Sequence, residues 1–220
     1  MVFGRMILLS LVLLVGAPSA GLAELFLDLG GGATVFIPKD QDGTWYQEAF
    51  SHSFDTHDMG LRAGLGWRFN DHWRMTASYV RLGSVEVISD FVSDFDYDAP
   101  SHQCRQQCDD PAHLIARDRV QGLEASVTRT WRPWAHVSPF LRVGGALMWH
   151  ALTVQWWEDD QSGSFQVRGQ IPMVLLGGGV CYRWLCAEAT YYHGIGSGDM
   201  GFPIATRAVV PMLSLKMPLW

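Results

Sequence analysis

The sequence predicts an all-β protein, an eight-stranded antiparallel up-and-down transmembrane β-barrel. Three observations support this fold class. Apolar and polar side chains alternate along a central stretch, residues 61–79. The N-terminal apolar run is too short to cross a bilayer, and no later segment approaches a spanning helix. Charged residues make up only 17% of the chain, against roughly 25% in soluble domains, and ten tryptophans suit interfacial aromatic belts.

The central stretch predicts one tight hairpin with two chemically different faces. From 61 to 69 every odd position is apolar and every even position is charged or glycine, which is the period of a strand. A polar turn follows at 70–72, and the alternation resumes to 79. The apolar face carries Trp67, Phe69 and Trp73, and the other face carries Arg62, Arg68 and Arg74. A soluble sandwich would not place three arginines on its inner face, whereas a membrane barrel has apolar residues outside and a polar interior.

The N-terminus predicts export. Arg5 precedes an apolar run at 6–15, and small residues precede Glu24, which is the pattern of a cleaved secretory signal peptide. We therefore predict a signal peptide at residues 1–23 and an outer-membrane β-barrel domain at 24–220. Export followed by membrane residence without helices leaves a closed barrel as the remaining architecture.

Alternation along the rest of the chain predicts the other strands. The predicted strands are residues 24–36, 61–69, 73–79, 119–131, 137–155, 165–182, 185–192 and 209–220. The predicted longer connections are residues 38–58, 86–117, 156–164 and 193–205. Long and short connections alternate along the chain, as in bacterial barrels with short periplasmic turns and longer external loops.

These features resemble a known group. The alternating hairpins, the run Gly66, Trp67, Arg68, Phe69 before a turn, and the terminal aromatic Trp220 resemble the small eight-stranded outer-membrane β-barrel proteins. That group includes the transmembrane domain of outer-membrane protein A, outer-membrane protein X, and the attachment-invasion and Lom-like proteins. The resemblance is architectural and implies a bacterial outer-membrane location.

The inward positions of the predicted strands carry charges of both signs. The predicted lumen charge network comprises the acids Asp28, Glu124 and Glu188 and the bases Arg62, Arg68, Arg74, Arg142 and Lys216. Such groups should pair across the lumen, because an unpaired charge away from water is costly. A gated narrow pore and a static polar core are both compatible with this set. The narrow interior of an eight-stranded barrel favours the closed, static core.

Four cysteines occur in two close pairs, Cys104 with Cys108 and Cys181 with Cys186. An oxidising periplasm favours disulfides. Zinc is the alternative for both pairs, although neither has a second CxxC or a histidine at the usual spacing.

The longest predicted loop is acidic and aromatic. Residues 90–112 include Asp90, Asp94, Asp96 and Asp98 among aromatic side chains, and a second acidic loop contains Glu158, Asp159 and Asp160. A calcium site is one interpretation, and a solvated acidic face is the other. Aromatic and acidic residues together also suit a protein-binding surface. We therefore predict that external loops mediate surface interaction, namely adhesion or host or phage contact.

An enzymatic hypothesis rests on His193, Ser197 and Asp199, with Glu188 lower on the same strand. Lipid A deacylases of similar architecture use a serine, a histidine and an acid near the external rim. Their histidine and serine are two residues apart, whereas here the two are four apart, so the motif is not matched. We predict no catalytic residues, no metal and no cofactor; a lipid A acyl hydrolase and a purely structural outer-membrane protein are the alternatives. The histidines His52, His57, His102 and His113 are expected to be exposed loop residues.

The net charge of −6 argues against binding of nucleic acid, which needs a basic patch. The predicted partners are outer-membrane lipid, lipopolysaccharide and an extracellular protein ligand bound through the loops. The protein is predicted to be a monomer.

Overall fold

A computed structural model of the chain describes residues 24–37, 49–92, 111–131, 137–158, 161–195 and 206–219. These residues form nine strand segments and no helix. The segments are β1 (Glu24–Phe36), β2 (Ala49–Asp55), β3 (His57–Arg68), β4 (Trp73–Val92), β5 (Pro111–Thr130), β6 (Val137–Glu158), β7 (Gln161–Tyr182), β8 (Leu185–Gly194) and β9 (Arg207–Pro218). In the described part of the chain there is no helix long and apolar enough to cross a membrane.

The segments close into one antiparallel ring. Each segment from β3 to β9 pairs with the next, and β1 joins β9 on one side and β3 on the other. Both β2 and β3 pair with β4, on either side of Thr56, so together they form one interrupted barrel strand. The nine segments therefore make eight barrel strands, and the predicted fold class is confirmed.

The outer face of the barrel carries an apolar band. In β8, buried and exposed residues alternate without a break from Leu185 to Tyr192, as period two requires. Exposed leucines and valines lie along the other strands in the same way, for example Leu65, Val143 and Leu213. Aromatic side chains ring the end of the barrel where the hairpin turns are shortest, which we call the short-turn end; they are Trp67, Trp73, Trp131, Tyr182 and Trp184.

The lumen is not polar along its whole length, which corrects the expectation of a polar interior throughout. Polar and charged side chains lie toward the short-turn end, and a cluster of thirteen buried residues fills the barrel above them. This cluster, the lumen plug, draws on seven of the nine segments; its members are Phe36, Val80, Leu82, Val85, Val120, Met148, Ile171, Met173, Leu175, Tyr192, Ala208, Val210 and Met212. Eight strands leave space only for side chains, and both polar and apolar ones occupy it.

Four strands continue far beyond the others at the end opposite the short turns, which we call the extended end. Segments β4 and β5 have 20 residues and β6 and β7 have 22, whereas β1, β3, β8 and β9 have 10 to 13. The prediction of a long insertion at 86–117 was therefore wrong at both of its ends. The loop predicted at 38–58 likewise contains β2, and the one at 156–164 is nearly all strand.

A β-bulge explains the misplaced boundary in β4. The pairing between β4 and β5 shifts between Arg81 and Gly83, and Gly83 has a positive φ of 99°, which glycine adopts without strain. Leu82 and Gly83 are both buried, so the inward residues change from even to odd numbers. Asp58 holds the bulge by accepting hydrogen bonds from the Ser84 backbone N–H (2.6 Å) and hydroxyl (2.9 Å). Strict alternation ends here, although the strand continues.

Candidate functional site

Six charged side chains meet inside the barrel below the lumen plug. Each faces inward by strand alternation, and none is more than 8% exposed. They are Asp28 of β1, Arg62 of β3, Glu124 of β5, Arg142 of β6, Glu188 of β8 and Lys216 of β9. Three acids and three bases make the cluster formally neutral.

Glu188 lies at the centre of this cluster. It forms a salt bridge with Arg62, and its Oε1 lies 3.8 Å from Nη1 of Arg142. Its Oε2 lies 3.8 Å from Nζ of Lys216. One carboxylate thus faces three cations from three other strands, and Asp28 adds a second acid 3.2 Å from Nη2 of Arg62. Because low dielectric strengthens such contacts and penalises unpaired charges, the cluster fixes these strands relative to one another.

Glu124 forms the second centre. It pairs with Arg142, whose Nε donates a hydrogen bond to the Ser126 hydroxyl at 2.8 Å. The Tyr192 hydroxyl donates to Glu124 at 2.8 Å. Alternation places Tyr192 on the lumen face, but only the three-dimensional structure reveals its partner, since β8 and β5 are not neighbours in the sheet.

Arg68 and Arg74 lie outside the six-residue cluster, contrary to their assignment to one network. Arg68 pairs with Glu24 at 2.7 Å, and both side chains are about one-third exposed. The Arg74 guanidinium lies over the Phe26 ring, 5.9 Å from its centroid. Both arginines face the short-turn end, where water reaches the lumen.

A buried His150 and Asp118 pair lies at the far side of the lumen plug, with Nδ1 and Oδ2 2.8 Å apart. The predicted strand began at Arg119, one residue after Asp118, so this partner was missed. A second apolar cluster with Leu152 and Val154 follows beyond the pair. The pair thus lies between two groups of buried apolar side chains.

We expect the folded protein to show no ion conductance in planar lipid bilayers. The lumen plug crosses the barrel with side chains such as Leu82, Val120 and Met148, each at most 1% exposed. Single-channel recording with a general porin in parallel provides the measurement and its positive control. Reproducible channel events from the purified protein would contradict the sealed lumen and restore the gated-pore hypothesis.

The proposed esterase residues do not assemble in the described region. His193 lies on the outer face, with Nδ1 3.3 Å from the Tyr191 hydroxyl, whereas Glu188 faces the lumen on the same strand. The two side chains lie on opposite faces of the strand, so Glu188 does not orient His193. Ser197 and Asp199 lie outside the described residues.

A disulfide joins Cys181 and Cys186, and the zinc alternative for this pair is therefore wrong. The two residues face each other directly in the β7–β8 pairing, with Cα atoms 4.0 Å apart. The turn between the strands contains only Arg183 and Trp184, and Arg183 has a positive φ of 56°. Cys104 and Cys108 lie outside the described residues.

We expect the variant Cys181→Ser/Cys186→Ser to fold but to lose about 2 kcal/mol of stability, the value for so short a disulfide loop. Urea unfolding followed by tryptophan fluorescence measures the loss. Because both cysteines are buried, alkylation and peptide mapping are done on the denatured parent protein, where these two cysteines should be labelled only after reduction. Labelling without reduction would contradict the disulfide.

The acidic residues and histidines are dispersed. Asp90 lies in β4 and Glu158 ends β6, while residues 93–110, which include Asp94, Asp96, Asp98 and His102, and residues 159–160 lie outside the described part. His52, His57 and His113 lie in strands rather than loops. No group of three or more potential metal ligands occurs among the described residues.

The described residues define a closed eight-stranded barrel with an apolar outer band, the architecture of transmembrane β-barrels.

No family model matches the chain, and no curated protein matches it. Among solved structures, the chain is similar to the following outer-membrane proteins. The attachment invasion locus protein of Yersinia pestis, in complex with the heparin analogue sucrose octasulfate, is 13% identical with a TM-score of 0.44, covering 90% of this chain and 100% of the other. Neisserial surface protein A is 15% identical with a TM-score of 0.46, covering 90% and 99%. The N-terminal β-barrel domain of Pseudomonas aeruginosa OprF is 11% identical with a TM-score of 0.39, covering 90% and 97%.

Proposed function

We propose that the protein is a monomeric integral protein of the bacterial outer membrane that contacts partners outside the cell through its extended end. The observation that carries the proposal is the length of β4 to β7. A tilted strand crosses a bilayer in about 9 to 11 residues, and these four strands have 20 to 22. About half of each strand is therefore free to project beyond the membrane.

The position of the apolar band supports this orientation. On β7 the exposed apolar residues run from Tyr182 to Val174, and Gln170, Arg168 and Gln166 follow on the same face. The change from apolar to polar occurs after roughly one bilayer thickness, as a spanning strand requires. The short-turn end then lies in the periplasm and the extended end outside.

A projecting sheet with a sealed barrel beneath it suits binding rather than transport. Segment 93–110 joins β4 to β5 at this end. Its aromatic residues are of the type enriched in protein interfaces, so a protein ligand is the partner class we propose. Nothing in the described region supplies an assembled nucleophile and base. We further propose that residues 1–23 are a signal peptide removed before Glu24, which N-terminal sequencing of membrane-extracted protein tests.

Replacing residues 93–110 with a short glycine and serine turn tests the proposal. We expect the variant to keep the gel mobility difference between boiled and unboiled samples that folded barrels show, and to lose binding of expressing bacteria to host cells or extracellular matrix. The matched control replaces residues 196–205, the connection between β8 and β9. Unchanged binding in the first variant would leave a purely structural role, and equal loss in both variants would contradict a specific contact.

A further inference from the structure

A recess lies on the outer wall of the barrel where the apolar band ends. It has a volume of about 530 Å³ and lies across β5, β6 and β7, between Arg119 and Arg168. The pairing aligns Arg119 with Ala151 and Ala151 with Arg168, so the two arginines flank a small residue. Two strand spacings separate them by roughly 10 Å, and the small side chain between them leaves the gap open.

The two arginines are available to an external ligand. Both are exposed, and in the described part of the chain neither forms a salt bridge. Arg168 donates one hydrogen bond to Gln166 at 3.2 Å. Arg117, one step further along β5, differs because its Nε donates to Glu86 at 2.8 Å. Among the residues that the structure describes, no carboxylate pairs with Arg119 or Arg168 as Glu86 does with Arg117.

The remaining wall of the recess is polar and aromatic. Gln121, Trp149 and Gln170 form the row between the arginines and the apolar band, in direct cross-strand register. The next row, Leu123 with Leu147, belongs to the band. Amide groups of this kind bind hydroxyls and esters, and tryptophan favours the boundary between lipid and water.

A second recess, of about 520 Å³, lies nearer the short-turn end across β4, β5 and β6, and thus shares β5 and β6 with the first. Its lining includes Leu123, Leu147, Ala125 and Gly145, and the last two are small residues paired across β5 and β6. The two recesses share no lining residue, but on β5 and β6 the row of Gln121 and Trp149 in the first lies next to the row of Leu123 and Leu147 in the second. A cationic site thus lies beside an apolar groove on the membrane-facing wall.

We propose that this wall binds one phosphorylated glycolipid of the outer leaflet, with a phosphate held between Arg119 and Arg168 and an acyl chain along the groove at Ala125 and Gly145. The proposal rests on the proposed function, because it requires the extended end to face the outer leaflet. Guanidinium groups bind phosphate through paired charge-assisted hydrogen bonds. The glutamines match the sugar hydroxyls that distinguish such a lipid from a simple phospholipid.

The test measures lipid binding to the full mature chain folded in detergent, by native mass spectrometry. The probes are bisphosphorylated lipid A, the same lipid after removal of its phosphates, phosphatidylglycerol and inorganic phosphate. The variant Arg119→Gln/Arg168→Gln is compared with Arg129→Gln/Arg183→Gln, which removes two exposed arginines near the short-turn end. We expect the first variant to weaken binding of lipid A about tenfold or more, the effect of losing a charged hydrogen bond, and the second to leave it unchanged.

The dephosphorylated lipid should bind the parent protein as weakly as lipid A binds the Arg119 and Arg168 variant. Gly145→Leu, which fills the groove, should weaken lipid A binding without changing the weaker binding of inorganic phosphate. Three results would overturn the inference: an equal loss of lipid A binding in both arginine variants, an affinity of the parent protein for phosphatidylglycerol equal to that for lipid A, or equal binding of lipid A with and without its phosphates. Boiled and unboiled gel mobility is recorded for each variant. A parent chain that does not fold in detergent contradicts the proposed function itself, whereas a folded barrel with phosphate-independent binding contradicts only the lipid site.

Discussion

Glu188→Ala is expected to lower the free energy of unfolding by about 3–5 kcal/mol, the cost of removing one partner from a buried ion pair. The Glu188 carboxylate faces Arg62, Arg142 and Lys216. After the substitution, the three cations of the cluster face only two acids, Asp28 and Glu124. Urea titration of the detergent-folded protein, followed by tryptophan fluorescence and by gel mobility, measures the effect.

The matched control is Glu24→Ala. Glu24 also forms a salt bridge, with Arg68, but both side chains are about one-third exposed, so we expect a loss of about 0–1 kcal/mol. Adding Arg62→Ala to Glu188→Ala should recover part of the stability, since it removes one uncompensated charge. Equal effects of the Glu188 and Glu24 substitutions would show that water reaches both pairs and that the lumen is open.

Period-two alternation was sufficient to assign residues to the two faces of the barrel. It placed Asp28, Glu124 and Glu188 inward and Leu213 and Leu215 outward, because side-chain direction depends only on local strand geometry. The same rule assigned the membrane class, since charges on one face and leucines on the other are the reverse of a soluble protein. The spacing of Cys181 and Cys186 across a short turn also indicated a disulfide, because the intervening residues bring the strands back into register.

The sequence did not predict which charged side chains contact each other across the lumen. That Glu188 contacts Arg62 depends on which strands face each other across the lumen, and this follows from closure and stagger of the whole ring. The bulge at Gly83 reverses the faces of β4, so alternation alone ended the predicted strand too early. Inward residues past that point consequently lay outside the predicted strands: Val85, a member of the lumen plug, followed the predicted strand 73–79, and Val87 lay in the predicted loop at 86–117.

The extended strands were underestimated for a related reason. Above the membrane, the outward face is polar, as in Arg168 and Gln166, while inward residues include apolar ones, as in Leu152 and Val154. This reverses the pattern that marks a membrane strand. A single chain therefore carries two opposite patterns along one continuous strand. The predicted strands 137–155 and 165–182 already reached into the second pattern, whereas those at 73–79 and 119–131 stopped short of it.

Leu176→Arg is expected to destabilise the folded barrel in lipid by about 2–4 kcal/mol. Because the outer face of β7 changes from apolar to polar along the strand, the cost of an arginine on that face depends on its depth in the membrane. Leu176 is 53% exposed and lies within the apolar band, between Val174 and Gly178 on the same face. In that position the guanidinium would face hydrocarbon, because neighbouring residues on β6, such as Val143, are apolar as well. Equilibrium unfolding from liposomes in guanidinium chloride measures the difference from the parent protein.

Gln170→Arg is the matched control, since it introduces the same side chain on the same face of the same strand. Position 170 lies beyond the apolar band, beside Trp149, where the penalty for arginine falls to about 0–1 kcal/mol. Both variants introduce arginine on the same face of the same strand, so the strand propensity of arginine contributes equally. The difference between them therefore reports the depth of the position in the membrane. Equal effects at 176 and 170, or a stable, water-soluble Leu176→Arg variant, would show that the band does not face lipid, and the membrane assignment would then be wrong.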